Sequence, residues 1–439
     1  MAPLNPLRVL TTAASFLLVS GHVQQETFRL PRIDLPHEII RSWAQYTPAF
    51  PLQSYQIPES CSITQVNILQ RHGARFPTTG ATKRILAAIS KLDNVLTFND
   101  AKMAGLKNWT YELGSNDLIP FGEMQAFESG FEAFRRYSSL VSEEILPFVR
   151  ASDGKRVVVS AENWINGFAE ASGGIVNPAP PLLISESGNN TLDDKMCPNA
   201  GDPDSKTAVW QETFAPRIAQ RLNAGAPGAK FTNADIPNLI SLCAFDTLYK
   251  QEPSPWCYIF DKQDFEESEY FYDLDKYYGT GYGQPLGPVQ GVGYINELLA
   301  RLTGQPVSDE TQTNRTLDSS PDTFPLHRTL YADFSHDNEM IAIYAAMGIL
   351  KPSSPLELTD PDPDRTWLVS HLVPFASSLV TERLLCGGVQ SIRILLNDGV
   401  VPLSICGAGS DGICTLKEFV KSQSYARNNG EGDWEKCFV

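Results

Sequence analysis

Short apolar runs along the chain predict buried β-strands, because alternate side chains of a strand face the same side of a sheet. In one run Leu330, Ala332 and Phe334 lie at every second position, and another contains three consecutive valines. The predicted strands are 63–70, 156–160, 182–185 and 329–334, followed by a hairpin of 391–396 with 400–403 around an Asn-Asp-Gly turn.

Apolar residues three or four positions apart predict helices in the segments between these strands. The predicted helices are 83–89, 123–148, 161–171, 209–223, 236–245, 263–278, 290–302 and 338–347. Gly304 and Gly348 follow two of them, and a glycine commonly ends a helix.

Strands and helices alternate early and late in the chain, whereas the middle is helical. This order predicts an α/β fold, with a mostly parallel central sheet flanked by helices and a second, mainly helical domain. The boundary falls where Gly, Asn, Asp and Pro become frequent, over 187–206. We assign 25–186 and 305–439 to the α/β domain, with a helical excursion over 80–148, and 187–304 to the helical domain.

The first residues predict secretion. Segment 1–24 has one basic residue, Arg8, then an apolar run over 9–19 and the small residues Ser20 and Gly21, which is the order of a signal peptide. No later stretch has the roughly twenty apolar residues that a membrane anchor needs. The sequons at Asn108, Asn189 and Asn314 fit an exported glycoprotein.

The cysteines also fit an exported chain, since there are eight and none forms a CxxC pair. An even number in such a chain predicts a disulfide framework. Cys243 with Cys257 and Cys406 with Cys414 are close enough to clip local loops. Eight cysteines allow 105 pairings, so the long-range bridges stay open at this point.

The formal net charge of −16 argues against a nucleic-acid ligand. It leaves room for a small anionic substrate, because a pocket can be positive on an acidic surface.

One loop brings a nucleophile between two cations. Segment 71–78 (RHGARFPT) follows a predicted strand and precedes a helix, where α/β sheets hold phosphates. The imidazole of His72 can attack phosphorus if Arg71 and Arg75 grip the phosphoryl oxygens. Alternatively, His72 is a hydrogen-bonded core histidine and the arginines form a solvated rim.

A second loop, Ser335 to Asn338, also lies between a predicted strand and a helix. Its adjacent Ser, His and Asp cannot form a hydrolase triad, because neighbouring side chains point in different directions. Asp337 can cap the helix, or it can protonate a departing alkoxide. His336, if protonated, would add a further donor to the phosphoryl oxygens.

Both loops together resemble the histidine acid phosphatases, the secreted branch of the histidine phosphatase superfamily. The resemblance extends through DLIPFG (117–122), CAFDT (243–247), LGPVQGVGY (286–294) and YADFSHDN (331–338), and covers nearly all of the predicted mature chain. These segments are most similar to fungal phytases, in particular those of basidiomycetes.

The resemblance implies hydrolysis of inositol hexakisphosphate through a phosphohistidine, without metal or cofactor, by a secreted monomer whose helical domain lies over the active-site cleft. The 6-phosphate is favoured over the 3-phosphate. His72 would be the nucleophile and Asp337 the proton donor. The implied phosphate-binding residues are Arg71, Arg75, Arg150, His336, Lys83, Arg84 and Lys276. The implied disulfides are Cys61–Cys386, Cys197–Cys437, Cys243–Cys257 and Cys406–Cys414.

Three arginines near His72 would lower its pKa and keep it nucleophilic at a pH where Asp337 still carries a proton. We therefore expect activity below neutral pH. The alternatives are a broad-range acid phosphatase, a secreted binding protein without turnover and a metal-dependent phosphatase. The last is disfavoured because none of the six histidines lies in a metal-ligand spacing such as HExxH.

Overall fold

An eight-stranded sheet runs through the structure, a computed structural model that describes residues 32–439. The predicted signal peptide lies outside the described residues. The strands are β1 (Cys61–Arg71), β2 (Phe148–Ser152), β3 (Leu182–Ile184), β4 (Leu330–Ser335), β5 (Ser378–Cys386), β6 (Val389–Leu396), β7 (Gly399–Val400) and β8 (Cys414–Thr415).

The strand order is β3-β2-β4-β1-β5-β6-β7, and β8 pairs with β6. Strands β3, β2, β4 and β1 are parallel, whereas β5 and the strands beyond it pair antiparallel. The predicted α/β class and the hairpin of β6 with β7 are confirmed. Strand β5 was not predicted, so the sheet has a larger antiparallel half than expected.

Helices flank the sheet and fill the middle of the chain. They are α1 (His37–Ile40), α2 (Thr79–Ile89), α3 (Ala101–Ala104), α4 (Pro120–Tyr137), α5 (Lys155–Ala171), α6 (Asp204–Gly225), α7 (Ile236–Lys250), α8 (Lys262–Gly279), α9 (Val292–Thr303), α10 (Arg315–Asp318), α11 (Asp337–Met347), α12 (Val369–Leu372), α13 (Leu416–Ser422), α14 (Ser424–Arg427) and α15 (Asp433–Lys436). Gly304 and Gly348 end α9 and α11 with positive φ, as predicted.

The strand predicted at 156–160 is wrong, because these residues form the start of α5. Val157, Ala161, Trp164 and Phe168 recur at helical spacing and are all fully buried. This longer period outweighs the β propensity of three adjacent valines. The strand that precedes α5 is β2, which begins where the predicted helix 123–148 was expected to end. That helix corresponds to α4, which ends earlier, at Tyr137.

Each face of the sheet is covered by apolar packing. On one face Val66 and Ile68 of β1 pack with residues of α4 and α5, including Trp164. On the other face Leu69 belongs to a larger cluster that includes residues of the helices from α6 to α9. The division into an α/β domain and a helical domain stays a prediction.

Buried charges join β2 to β4 and α9. Arg150 donates from Nε to Asp333 Oδ1 at 2.8 Å and from Nη2 to Glu297 Oε2 at 2.6 Å. Arg301 donates from Nη1 to Asp333 Oδ2 at 2.5 Å. Although burial opposes ionisation, these two arginines hold the pKa of Asp333 below its usual value. The group is therefore a paired ionic cluster inside the protein.

The eight cysteines form four disulfides, with the pairing that the resemblance implies: Cys61–Cys386, Cys197–Cys437, Cys243–Cys257 and Cys406–Cys414. Two of them connect positions 325 and 240 residues apart. Within residues 32–439, none of the helices is both long and apolar enough to cross a membrane.

The three sequons lie at or near the surface. Asn108 and Asn189 are exposed, whereas Asn314 is half-buried and accepts a hydrogen bond from the Leu317 backbone at the start of α10. The Asn189 amide donates to the Thr313 carbonyl at 3.0 Å. Glycosylation of each of them stays a prediction.

We expect Arg150→Met to lower the free energy of unfolding by about 3–5 kcal/mol, because it removes one partner from a buried ion pair. Urea titration monitored by tryptophan fluorescence measures this loss. The control is Arg135→Met, which removes an exposed arginine 3.6 Å from Glu132 and should cost about 0–1 kcal/mol. Equal stability of the two variants would contradict the assignment of Arg150 to a structural cluster.

Candidate active site

The pairing of β1 with β4 brings the two polar loops together. The strands are parallel and Arg71 pairs with Ser335, so His72 and His336 follow side by side at the same edge. The His72 backbone N–H donates to the Ser335 carbonyl at 3.1 Å. The ring centroids of His72 and His336 are 5.8 Å apart. The predicted meeting of these loops is confirmed.

The loop after β1 is held against α4 and α5. A Cβ on Gly73 would lie 2.2 Å from the Gly122 carbonyl oxygen, so this contact requires glycine. The Gly73 N–H donates to Ser160 Oγ at 3.0 Å, and the Ala74 N–H donates to Gln125 Oε1 at 2.9 Å. These bonds fix the backbone that follows His72.

One ring nitrogen of His72, Nε2, is buried and has no hydrogen-bond partner in the described residues. Its Nδ1 is 2.8 Å from the Gly73 carbonyl, which can only accept, so Nδ1 carries the proton and Nε2 keeps its lone pair. Burial lowers the pKa of His72 well below its usual value, and Arg71, Arg156 and Arg75 lower it further. The neutral, nucleophilic form of the ring is therefore favoured. The expected direction is confirmed, but burial is the largest cause.

Arg71 is locked in place beneath this loop. Its Nη1 donates to the carbonyls of Gln45 and Val373, at 2.5 and 2.7 Å. Its Nη2 lies 3.2 Å from Asp337 Oδ2, and its guanidinium lies 4.7 Å from the centre of the Phe375 ring. This packing fixes the orientation of the cation before any ligand binds.

Arg150 does not lie at this edge, which corrects the implied phosphate-binding role. It pairs with Asp333, two residues before the strand end, and both its carboxylate partners are buried. Arg156, at the start of α5, takes the place instead: it lines the cleft and donates from Nη2 to His336 Nδ1 at 3.0 Å. The false strand at 156–160 hid this residue, because it placed Arg156 inside the sheet.

Asp337 is the first residue of α11, whose N-cap is His336, and no side-chain cap bond is present. The capping interpretation is therefore wrong. The carboxylate lies 3.2 Å from Lys276 Nζ as well as from Arg71. Burial raises the pKa of Asp337, but these two cations outweigh burial and hold this pKa well below its usual value. In the free protein Asp337 is thus ionised at mildly acid pH, contrary to expectation.

The remaining predicted cations lie in different places. Lys276 is 6% exposed and donates to Asn338 Oδ1 at 2.6 Å, so it belongs to the floor of the cleft. Arg84 lines the cleft and donates to Asn238 Oδ1 at 3.3 Å. Lys83 is exposed on α2 and is not among the residues that line the cleft. Lys195 was not identified from the sequence, and it also lines the cleft.

The cleft itself encloses about 680 Å³ and carries charges of both signs. Four aspartates line it in addition to the cations and Asp337: Asp193, Asp194, Asp204 and Asp275. Burial raises the pKa of Asp193 above its usual value.

One grouping in the described residues has the composition of a metal site. Ligand atoms of Glu186, Asp193 and His336 lie within 4.8 Å of one another. However, Lys195 Nζ lies 2.7 Å from Glu186 and 3.1 Å from Asp193, and Arg156 donates to His336. Two cations already neutralise these groups, so we interpret the grouping as an ion-pair cluster.

Several buried nitrogens at this edge have no hydrogen-bond partner in the described part of the chain. They are Nε of Arg71, Arg75 and Arg156, together with His72 Nε2. Unpaired buried donors are costly, and helices α5 and α11 also begin here, where backbone N–H groups favour anions. The arrangement can bind an oxyanion in front of a nucleophilic nitrogen.

Known proteins are similar to this chain in sequence. The pattern of the histidine phosphatase superfamily (branch 2) matches residues 62–397. Phytase A of Aspergillus awamori is 40% identical over 466 aligned positions, covering 99% of both chains, and a Phytase A of Aspergillus terreus is 41% identical over 91% of both.

Two solved structures show the same fold. The phytase from D. castellii has a TM-score of 0.74 at 24% identity, over 88% of this chain and 85% of its own. The Bifidobacterium longum multiple inositol polyphosphate phosphatase, in complex with inositol hexasulfate, has a TM-score of 0.61 at 15% identity, over 86% and 96%. Since the family pattern covers most of the chain and curated relatives align along nearly all of it, the chain belongs to branch 2 of the histidine phosphatase superfamily.

Proposed function

We propose that this protein is a phytase, which hydrolyses the phosphomonoesters of myo-inositol hexakisphosphate and releases inorganic phosphate and lower inositol phosphates. The observation that carries the proposal is the unpartnered Nε2 of His72 among three arginines, Arg71, Arg75 and Arg156, each with a buried Nε that has no hydrogen-bond partner in the described residues. The names of the fungal relatives, and the inositol hexasulfate complex of the B. longum enzyme, support the substrate class.

The first step transfers a phosphoryl group to the protein. Arg71, Arg75 and Arg156 bind its oxygens, and His72 Nε2 attacks phosphorus while the P–O ester bond breaks. Asp337 gives its proton to the leaving alkoxide. In the second step water attacks phosphorus, the P–N bond breaks, and Asp337 accepts the proton of the water.

Asp337 needs a proton for the first step, although the free protein holds it ionised. A bound phosphate group brings negative charge next to Arg71 and Lys276, and this offsets the field that lowers the pKa of Asp337. Binding of substrate therefore prepares the acid. His72 stays neutral to low pH, so the complex works in the acid range.

A broad-range acid phosphatase is the second candidate. The aspartates that line the cleft, including Asp275 beside Lys276, disfavour a substrate with many phosphates. The cavity nevertheless has room for an inositol ring beyond the catalytic phosphate, and we favour the phytase.

We further propose that the protein is secreted, that it acts as a monomer, and that the 6-phosphate is attacked first. The four disulfides are typical of an oxidising compartment. Chromatography of the first inositol pentakisphosphate released would identify the position attacked.

We expect the native protein to release phosphate from inositol hexakisphosphate at about pH 5 with a chelator present, and His72→Ala to lose at least about 10⁴-fold in rate, since it lacks the nucleophile. Phosphate release is measured in parallel on an aryl phosphate. Equal rates on both substrates would favour the general acid phosphatase. No release from either would leave a binding protein, and activity that needs an added metal would indicate the metal-dependent class.

Arg156→Met should lower kcat/KM by about 10²–10³-fold, because one donor to the transferring phosphoryl group is lost. Initial rates measure this effect and a thermal unfolding curve checks the fold. Arg150→Met is the matched control, since it removes a buried arginine of the same size outside the cleft. A larger kinetic defect per folded molecule in the Arg150 variant would reverse the assignment of the two residues.

Lys276→Met should shift the alkaline limb of the kcat profile upward by about one pH unit, because an opposite charge within 4–6 Å lowers a carboxyl pKa by one to three units. The sign follows from Asp337: without Lys276 its pKa rises, so it keeps its proton to higher pH. Rates from pH 3 to 8 measure the shift. Lys83→Met, on the exposed surface of α2, should leave the limb unchanged, and a shift to lower pH in the Lys276 variant would refute this role.

A further inference from the structure

We propose that Glu186 is a positioning residue for the phosphate site: it fixes the His336 ring, and through that ring it holds Arg156 toward the bound phosphoryl group. The inference rests on the proposed function for the identity of the anion, and on the hydrogen bonds of this structure for the positioning.

The ring of His336 has both nitrogens engaged. Arg156 Nη2 lies 3.0 Å from Nδ1, and a guanidinium can only donate, so Nδ1 accepts. The proton of the neutral ring is therefore on Nε2, which donates to Glu186 Oε1 at 2.8 Å. His336 thus joins a carboxylate on one side to a cation on the other.

The carboxylate of Glu186 is itself held on both oxygens. Oε1 also accepts from Ser152 Oγ at 3.0 Å, and Oε2 accepts from Lys195 Nζ at 2.7 Å. The Glu186 backbone N–H donates to Asp153 Oδ1 at 2.9 Å. The hydrogen bond from His336 is the largest cause that lowers the pKa of Glu186 far below its usual value, so the side chain is an anion.

Gly154 supplies the space for this pair. A Cβ at position 154 would lie 2.5 Å from Glu186 Oε1 and 3.5 Å from His336 Cε1. The backbone there has φ −58° and ψ 123°, which any residue adopts, so glycine is not required by conformation. Glycine is needed just before α5, two residues before Arg156, because a larger side chain there would collide with the Glu186 carboxylate.

The hydrogen bond to His336 restrains one end of the Arg156 guanidinium, because Nη2 donates to His336 Nδ1. Its Nε is buried without a hydrogen-bond partner in the described part of the chain. A ring free to rotate would release the guanidinium from its orientation. A displacement of about 1 Å at such a group can cost about 10²-fold in rate.

The test is a double-mutant cycle between Glu186 and Arg156, with inorganic phosphate as the probe. Dissociation constants come from isothermal titration calorimetry at about pH 7.5, above the ordinary pKa of an imidazole, and this measurement needs no turnover. We expect Glu186→Ala to weaken phosphate binding about 10-fold and Arg156→Met about 100-fold, with the double variant close to Arg156→Met alone, because coupled residues are not additive. Thermal unfolding verifies the fold, and Glu170→Ala, at the exposed end of α5, is the control.

Gly154→Ala gives an independent variant that keeps every charge. It should weaken phosphate binding several-fold in the native background, because the methyl group displaces the carboxylate. In the Glu186→Ala background the same change should have no effect, since the group that it displaces is gone.

Full additivity of Glu186→Ala with Arg156→Met, or unchanged phosphate binding in Glu186→Ala, would overturn the positioning role. A failure of the proposed function appears elsewhere, as absent turnover in the native protein while the phosphate cycle still shows coupling. Intact turnover with an additive cycle would leave the phosphatase and remove Glu186 from its machinery.

Discussion

The parallel pairing of β1 with β4 is the constraint on which the site depends. His72 and His336 lie next to each other because Arg71 pairs with Ser335 and both chains leave the sheet at the same level. A strand alternates its side chains with a period of two, so a slip by one residue would turn the wrong set of residues toward the cleft. Alternating apolar residues on the two faces of β1 resist that slip, as does the disulfide from Cys61 to β5.

A cluster of cations in a buried cleft is unfavourable by itself, and the structure offsets this in different ways. Arg71 is held by backbone carbonyls and Asp337, whereas Arg156 donates to His336. The donors left over are available to an anion. Because these dipoles and charges are fixed beforehand, the protein does not have to reorganise when negative charge develops on the phosphoryl group.

The sequence predicted the parts of this site that are local. The loops after β1 and β4 each combine a strand end, a helix start and chemically distinctive residues, so His72, Arg71 and Asp337 could be recognised from short segments. Arg150 and Arg156 could not be told apart in this way, because a run of valines fits both a strand and a buried helix face. A signal was present: the Asp153-Gly154 pair is typical of a turn, and the apolar residues from Val157 to Phe168 follow a helical period.

Other features depend on contacts that no local pattern contains. Strand β5 was missed although it pairs with β1 along most of its length, because its partner is more than 300 positions away. The low pKa of Asp337 follows from Arg71 and Lys276, which lie on another strand and another helix. Glu186 looks like an ordinary loop carboxylate until His336, 150 positions later, is placed beside it.

The disulfide between Cys197 and Cys437 delays the covalent fixing of one wall of the cleft during synthesis. It anchors the segment that follows Asp193 and Lys195, and its second cysteine is synthesised 240 residues after the first. While the chain emerges from the ribosome, the parallel strands can pair once β4 has been made, but this wall of the cleft stays without its covalent anchor until Cys437 has been made and oxidised. The order of synthesis therefore leaves a wall of the cleft among the last parts of the molecule to be fixed by a disulfide.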